Sequence, residues 1–453
     1  MNVEDQPDRV EHAGPRPASD VSSGVGLAGL LGMFAWLAIC RNWPGIADAF
    51  GLPGPREPLA GPYSSLATLL FTAVPMVAWS ILVDKVHRRA STGIDWDRPR
   101  AAPATLDISI TKLAGLWATW AIIGFLYCVA RWYWRDQYLF AMEVIGAAAV
   151  PLFLLSVPYV VWLDRRLVDP RDGAWHFGAM LVGREPYDIE AVKAHFRSWA
   201  VKGFFTAFMI SILPIGWINL VNLDLASIPF EPVRLSWALI ELLFVIDVQI
   251  AMVGYLLTMK PLDAQIRSAN PFLGGWVAAL ICYPPFILMG DGGPLNYHPN
   301  TSDWAYWLQG HDMVLWAWGA LLVFLTAIYA WATVIFGIRF SNLTYRGVIT
   351  NGPYRFTRHP AYLSKNLFWW CATMPFFATS GSLVDVVRNT TILAMVSAVY
   401  FWRAKTEEAH LLSEDPKYRE YHAWMAENAV ITRGLSKAMR AFRPRGPQLQ
   451  PAE

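Results

Sequence analysis

The sequence predicts an all-α, polytopic membrane bundle of about ten helices with both termini cytoplasmic, and three observations lead there. Of its 453 residues, 55% are apolar and only 16% are charged, against about 25% charged in an ordinary soluble domain. Apolar stretches of about 20 residues, enough to cross about 30 Å of hydrocarbon, recur ten times. The Lys and Arg beside them fall on alternate connections and therefore on one side of the bilayer.

Residues 1–23 are polar and lack the basic region and apolar core of a signal peptide; a disordered cytoplasmic tail is expected there. Spans follow at 24–43, 63–83, 111–131, 139–163, 202–222, 234–258, 272–290, 313–337, 361–379 and 383–403. Basic residues cluster after the even-numbered spans: Lys85, Arg88 and Arg89 after the second, Arg165, Arg166 and Arg171 after the fourth, Lys260 and Arg267 after the sixth. The pattern continues with Arg339, Arg346, Arg355 and Arg358 after the eighth and Lys405, Lys417 and Arg419 after the tenth. The opposite loops are poor in cations, and residues 291–312 contain no Lys or Arg. The expected organisation is a 1–23 tail, a 24–312 multi-span bundle of unassigned role, a 313–433 membrane domain carrying the chemistry, and a flexible basic, Pro-rich 434–453 tail. An integral protein of a bacterial inner membrane is the expected setting, with residues 164–201 as an amphipathic cytoplasmic loop.

A formal net charge of +2 leaves no basic excess for nucleic acid. Cys40, Cys128, Cys282 and Cys371 each sit in an apolar stretch without a CxxC pair, so neither a disulfide framework nor a metal site is expected. Asp247, near the middle of the sixth span, is costly in hydrocarbon unless paired or protonated, and intramembrane acids of this kind mark function by default. No inverted repeat of a transporter is evident.

The chemistry concentrates after residue 340. Asn351-Gly352-Pro353 is a turn signal, and Arg358-His359-Pro360 follows it. Proline disfavours helix at the residue before it and suits the first helical position, so the ninth span should start at Pro360 with His359 at its cap. The unpaired N–H groups and positive dipole end of that helix favour an anion, and Arg355 and Arg358 stand nearby. The second half is Arg403, Glu407, Glu408 and His410. Without a breaker before Ser413, the tenth helix should overhang the membrane by about two turns. Arg403, Glu407 and His410 then share a face, while Glu408 points about 100° away. A short helix capped by Asp415 should run from Pro416 to about Asn428 with Tyr418, Tyr421 and Met425 on its apolar side. Taken alone, the arginines suit lipid headgroups and the Glu pair a solvated helix face.

Together these pieces, Gly352-Pro353-Tyr354, Arg358-His359-Pro360-Ala361-Tyr362, a helical hairpin, Arg403 with Glu407-Glu408, and Lys417-Tyr418 with Tyr421, resemble the isoprenylcysteine carboxyl methyltransferase family and its phospholipid methyltransferase relatives. The resemblance covers about residues 315–433. It implies a methyltransferase using S-adenosylmethionine, bound on the cytoplasmic side by Tyr354, Arg358, His359, Pro360, Tyr362, Glu407 and Glu408. It further implies a lipophilic acceptor of isoprenyl-carboxylate or lipid type approached by Arg403 and Asn366, with Arg403, Glu407 and His359 catalytic. Leu363-Ser364-Lys365-Asn366 stands where such proteins often have a Gly, and Glu414-Asp415-Pro416 where many have Phe-Gly; both departures leave the acceptor open. Two other readings share features: an NADPH-dependent sterol or isoprenoid reductase, which Leu363 suits, and a transporter or assembly factor with a non-catalytic motif. The Gly-Pro-Tyr turn and the Glu pair favour methyl transfer, and intact His359, Glu407 and Glu408 favour activity.

Overall fold

The computed structural model describes residues 14–434, apart from 225, 227, 229 and 230. Residues 1–13 of the expected amino-terminal tail and 435–453 of the carboxy-terminal one lie outside the described residues. The fold is all-α, 71% helical, and eight helices are long and apolar enough to cross a membrane.

In chain order, α1 is Ser23–Arg41, α2 Trp43–Ala49 and α3 Pro62–Ala78, which continues as a wider turn through Trp79–Val83. Then come α4 Ala102–Ala130, α5 Leu139–Asp164, α6 Gly173–Val182, α7 Ile189–Asn222 and α8 Pro232–Leu256. A two-residue strand β1 (Ser268–Ala269) precedes α9 (Leu273–Leu280), α10 (Trp304–Trp307) and α11 (Asp312–Phe336). The chain closes with β2 (Thr344–Tyr345), α12 (Pro360–Thr373), α13 (Leu383–Glu414) and α14 (Pro416–Asn428). The membrane-length helices α1, α3, α4, α5, α7, α8, α11 and α13 coincide with eight of the ten expected spans.

The other two differ. The expected seventh span, 272–290, is helical only over the 8 residues of α9, because Pro284 and Pro285 lack the N–H groups a helix needs. The segment nevertheless tracks α13. Asn270 Nδ2 donates to the carbonyl of Thr406 at 3.4 Å, and Asn389 Nδ2 donates to that of Pro299 at 2.7 Å. Those two points on α13 are about 26 Å apart at 1.5 Å per residue. Irregular backbone at such depth is tolerated where protein shelters it, and Leu295 and Tyr297 pack on Leu393, Val396 and Tyr400. The expected ninth span is α12, only 14 residues long; it stops at Met374, whose φ of 46° is left-handed.

Residues 164–201 are not a loop. They fold into α6 and the first turns of α7, and Lys112 of α4 anchors them through Asp164 at 2.5 Å and Asp172 at 3.1 Å. The expectation of a disordered tail also fails for residues 14–22. Asp20 exchanges hydrogen bonds with Val348, its N–H donating to the Val348 carbonyl at 2.9 Å and its carboxylate accepting from the Val348 N–H at 2.7 Å. Lys417 reaches the same carboxylate at 2.5 Å. The segment is a strap across the loop that joins α11 to α12.

One core joins the 24–312 and 313–433 stretches: Val25, Met76, Phe205 and Met252 cluster with Val334, Ile338 and Leu343. Small residues permit the approach, since a Cβ at Gly26 would strike the Val334 carbonyl and one at Gly32 that of Phe71. Arg346 then ties the helix ends to the loop. Buried at 3% exposure, it donates to the carbonyls of Gly254 and Phe340 at 2.8 Å, of Leu257 at 3.1 Å, and of Ala264 and Ile338 at 2.8 Å. Gly254 and Leu257 end α8, where carbonyls have no intrahelical partner.

Candidate functional site

His359 occupies the N-cap of α12, with Pro360 at the first position, as the backbone preferences of the pair predict. The α13 helix extends without interruption to Glu414, carrying residues 403–410 past the apolar stretch. Asp415 then caps α14 by accepting from the Lys417 N–H at 2.7 Å. Tyr418, Tyr421 and Met425 are buried against Tyr345 and Val348, and the Tyr421 hydroxyl donates to the Tyr354 carbonyl at 2.7 Å. By these contacts α14 pins the Gly352-Pro353-Tyr354 turn beside the end of α13.

The two motif halves meet. His359 Nε2 lies 3.0 Å from Glu408 Oε1, Arg358 Nε is also 3.0 Å from that oxygen, and Lys405 Nζ is 2.6 Å from the other. The Tyr362 hydroxyl donates to Glu407, and Arg403 Nε approaches the same carboxylate at 3.3 Å. Between the halves lies a cavity of about 170 Å³ lined by residues of both, among them Tyr354, Arg358, His359, Tyr362, Arg403 and Glu407. Tyr354 and Tyr418 both line the cavity, and burial raises their hydroxyls well above the ordinary phenol range.

Not every expected residue faces it. Glu408 turns away from the cavity into its cluster of Arg358, His359 and Lys405, and Pro360 serves as the first residue of α12. Asn366 does not line the cavity; its Nδ2 donates to the Tyr362 carbonyl one turn back at 2.8 Å. The cation one position earlier, Lys365, does line it. His410 reaches the wall with Nε2 2.9 Å from Ser268 Oγ. Arg403 is 2% exposed and donates to Asn342 Oδ1 at 2.6 Å, while Asn342 in turn donates its N–H and Nδ2 to the Tyr255 hydroxyl at 2.9 and 2.8 Å. The Arg403 guanidinium also lies 5.1 Å from the Tyr362 ring centroid and 5.6 Å from that of Tyr283, a cation–π arrangement.

Asn342, Tyr283, Tyr329, Lys365 and Tyr400 are wall residues that sequence reasoning did not single out. Tyr400 had a signal, because 400, 403 and 407 share one helix face. Lys365 also had one, as a lone cation in an apolar span one turn after Tyr362. Tyr283 and Tyr329 come from distant segments with no local mark. Asp247 is satisfied by hydroxyls: Tyr329 donates to it at 2.8 Å, and Thr333 donates as well.

The residues fit the implied donor on a structural ground. Arg358 Nη1 is buried without a hydrogen-bond partner among the described residues, and it stands beside the first turn of α12, whose N–H groups have no intrahelical acceptor. Unpaired donors of this kind suit a carboxylate, and Glu407 offers an anion across the same cavity. No curated protein and no solved structure matches the chain. The region that builds both halves of the cavity, residues 313–413, matches the isoprenylcysteine carboxyl methyltransferase (ICMT) family.

Proposed function

We propose that this protein is an integral-membrane, S-adenosylmethionine-dependent methyltransferase acting on a lipophilic acceptor, with its donor pocket on the cytoplasmic side of a bacterial inner membrane. The observation that carries the reading is the convergence of the α12 N-terminus and the α13 overhang on one cavity, through His359 with Glu408 and Tyr362 with Glu407. In this reading the chain passes the bilayer ten times, the segment between α8 and α11 and the short α12 supplying two of the passes.

Arg358 and the first turn of α12 would hold the donor's carboxylate, and Glu407, oriented by Tyr362, its cationic end. When bound, the donor would supply a methyl group on a sulfonium, and transfer of that methyl to a carboxylate, with the S–CH3 bond breaking to leave a neutral thioether, would cancel the charge of both partners. Arg403, held by Asn342 and Tyr283 and stacked on Tyr362, would fix the acceptor beside that methyl; alignment of this kind supplies much of such a barrier reduction. The aromatic walls limit water, which disfavours separated charges more than a charge-cancelling transition state. A carboxylate acceptor needs no base. An amine or phenol would have to pass a proton to His359, which faces the cavity with Nε2 already engaged by Glu408. Residues 24–312 would complete the chamber, since Tyr283 lines it and Tyr255 holds Asn342.

Binding of S-adenosylhomocysteine and of NADPH to the purified full-length protein tests the reading. Homocysteine-analogue binding that Glu407→Gln and His359→Ala each weaken at least tenfold is expected. Tight NADPH binding without it would instead favour a reductase, and unchanged affinity in both variants would remove the pocket assignment.

A further inference from the structure

One wall of the cavity is held from outside it. Gly347, Val348 and Ile349 line the cavity, whereas none of residues 14–22 does, yet three backbone groups of that loop find their partners on the amino-terminal strap. The Val348 N–H donates to the Asp20 carboxylate at 2.7 Å, the Val348 carbonyl accepts from the Asp20 N–H at 2.9 Å, and the Thr350 N–H donates to Ser19 Oγ at 3.4 Å. Side chains extend the seam: Thr350 Oγ1 donates to the Pro17 carbonyl at 2.8 Å, and Asn351 Nδ2 to the Val21 carbonyl at 3.2 Å. The approach is close enough that a Cβ on Gly347, whose φ is 117°, would stand 2.8 Å from Asp20 Oδ2.

The holding contacts meet at Asp20. Its carboxylate takes Lys417 Nζ at 2.5 Å, one residue before the cavity-lining Tyr418, and stands 3.8 Å from Nη1 of Arg339, which also lines the cavity. The strap is in turn fastened to the chain that follows α3, since Arg89 Nη1 donates to the Asp20 carbonyl at 2.7 Å and Ser22 Oγ to Asp84 at 2.6 Å. A loop whose buried backbone groups are satisfied by one segment loses its shape when that segment leaves. A ligand that needs the shaped loop then binds with its affinity scaled by the fraction still in shape. Asp20, Arg89 and Lys417 all lie outside the family-matched residues 313–413.

We infer that Asp20 is a positioning residue for the donor pocket: through Val348 it keeps the cavity wall in its binding shape, so that the amino-terminal strap governs how tightly the donor is retained without touching it. The inference rests on the methyltransferase reading for the identity of the donor, and on the strap contacts for the coupling. Linkage makes the coupling reciprocal. A donor that favours the shaped wall must also favour the seated strap.

The test uses the full-length protein in lipid nanodiscs with S-adenosylhomocysteine as the probe. Asp20→Asn should weaken probe binding about tenfold, chiefly through faster dissociation. In the wild type, the probe should slow amide exchange of residues 18–22 by about tenfold although none of them lines the cavity, and Asp20→Asn should lose that slowing. A strap that served stability alone would not respond to the probe. Unchanged dissociation in Asp20→Asn, or wild-type strap exchange indifferent to bound probe, overturns the inference and leaves the donor reading standing. If Asp20→Asn does not fold, the wild-type exchange measurement decides the matter by itself. Absent S-adenosylhomocysteine binding by the wild type would defeat the donor reading and the inference with it.

Discussion

Glu407 and Glu408 are neighbours in sequence with separate tasks: Glu407 faces the cavity, where Tyr362 and Arg403 hold it, and Glu408 turns back to bind Arg358, His359 and Lys405. The 100° between successive helix positions makes this division possible. One carboxylate remains available to a ligand while its neighbour fastens α12 to α13. Substitutions at the two positions should therefore have different signatures.

Glu408→Ala removes the shared anion of three cationic or proton-donating groups, one of them the largely buried Arg358. A loss of about 3 kcal/mol is expected, since breaking a buried pair strands its partner. Thermal unfolding in detergent should show a lower midpoint with or without S-adenosylhomocysteine. An unchanged midpoint would mean that the cluster does not fasten the helices.

Tyr362→Phe deletes only the hydroxyl that donates to Glu407, keeping the ring beneath Arg403. Donor-analogue affinity should fall by about tenfold, the value of one charge-assisted hydrogen bond, with the unfolding midpoint preserved. Titration calorimetry checks the first expectation. A change in stability without a change in affinity would assign the hydroxyl a packing role.

Arg346→Lys should be as damaging as a much larger change. Five carbonyls converge on the guanidinium, and an ammonium has three donors on one nitrogen. Leaving two or more buried acceptors unpaired is expected to cost about 2–4 kcal/mol. Chemical unfolding measures it, and near wild-type stability for the Lys variant would show that water fills the gap without penalty.

The strap at residues 14–22 should release in acid. Burial pushes the Asp20 carboxyl up, but the Lys417 hydrogen bond, the Val348 N–H and the charges of Lys417 and Arg339 outweigh it and hold the group below its ordinary 3.8. With the folded value depressed, the stabilisation is complete above the unfolded value and disappears as pH falls through the folded one. Amide exchange at residues 347–351 should thus stay slow from neutrality down to about pH 4 and accelerate only below it. Asp20→Asn should produce fast exchange at neutral pH, and equal protection in the variant would show that Asp20 does not hold the loop.

Much of the fold was legible because hydrocarbon imposes a simple rule on the chain. An apolar run of membrane length must be helical to satisfy its own backbone, so eight crossing-length helices could be read from hydropathy alone. Local rules also sufficed for the start of α12 at Pro360, the unbroken overhang of α13 and the Asp415 cap of α14, because proline geometry, the absence of breakers and short-range capping act within a few residues. The 3.6-residue period likewise placed Arg403 and Glu407 together.

Other features depended on partners far along the chain. Residues 270–300 lie along α13 as broken structure because neighbouring protein, rather than their own hydrogen bonding, shelters them, and no periodicity announces such shelter. The strap at Asp20 needs Val348 and Lys417; the chamber needs Tyr283 and Tyr329 brought to Arg403 and Lys365. Hydropathy and local chemistry therefore determined the eight membrane-length helices and where the motif halves begin. Packing between distant segments decided which side chains share a cavity, because burial and charge pairing depend on neighbours that exist only once the chain is folded.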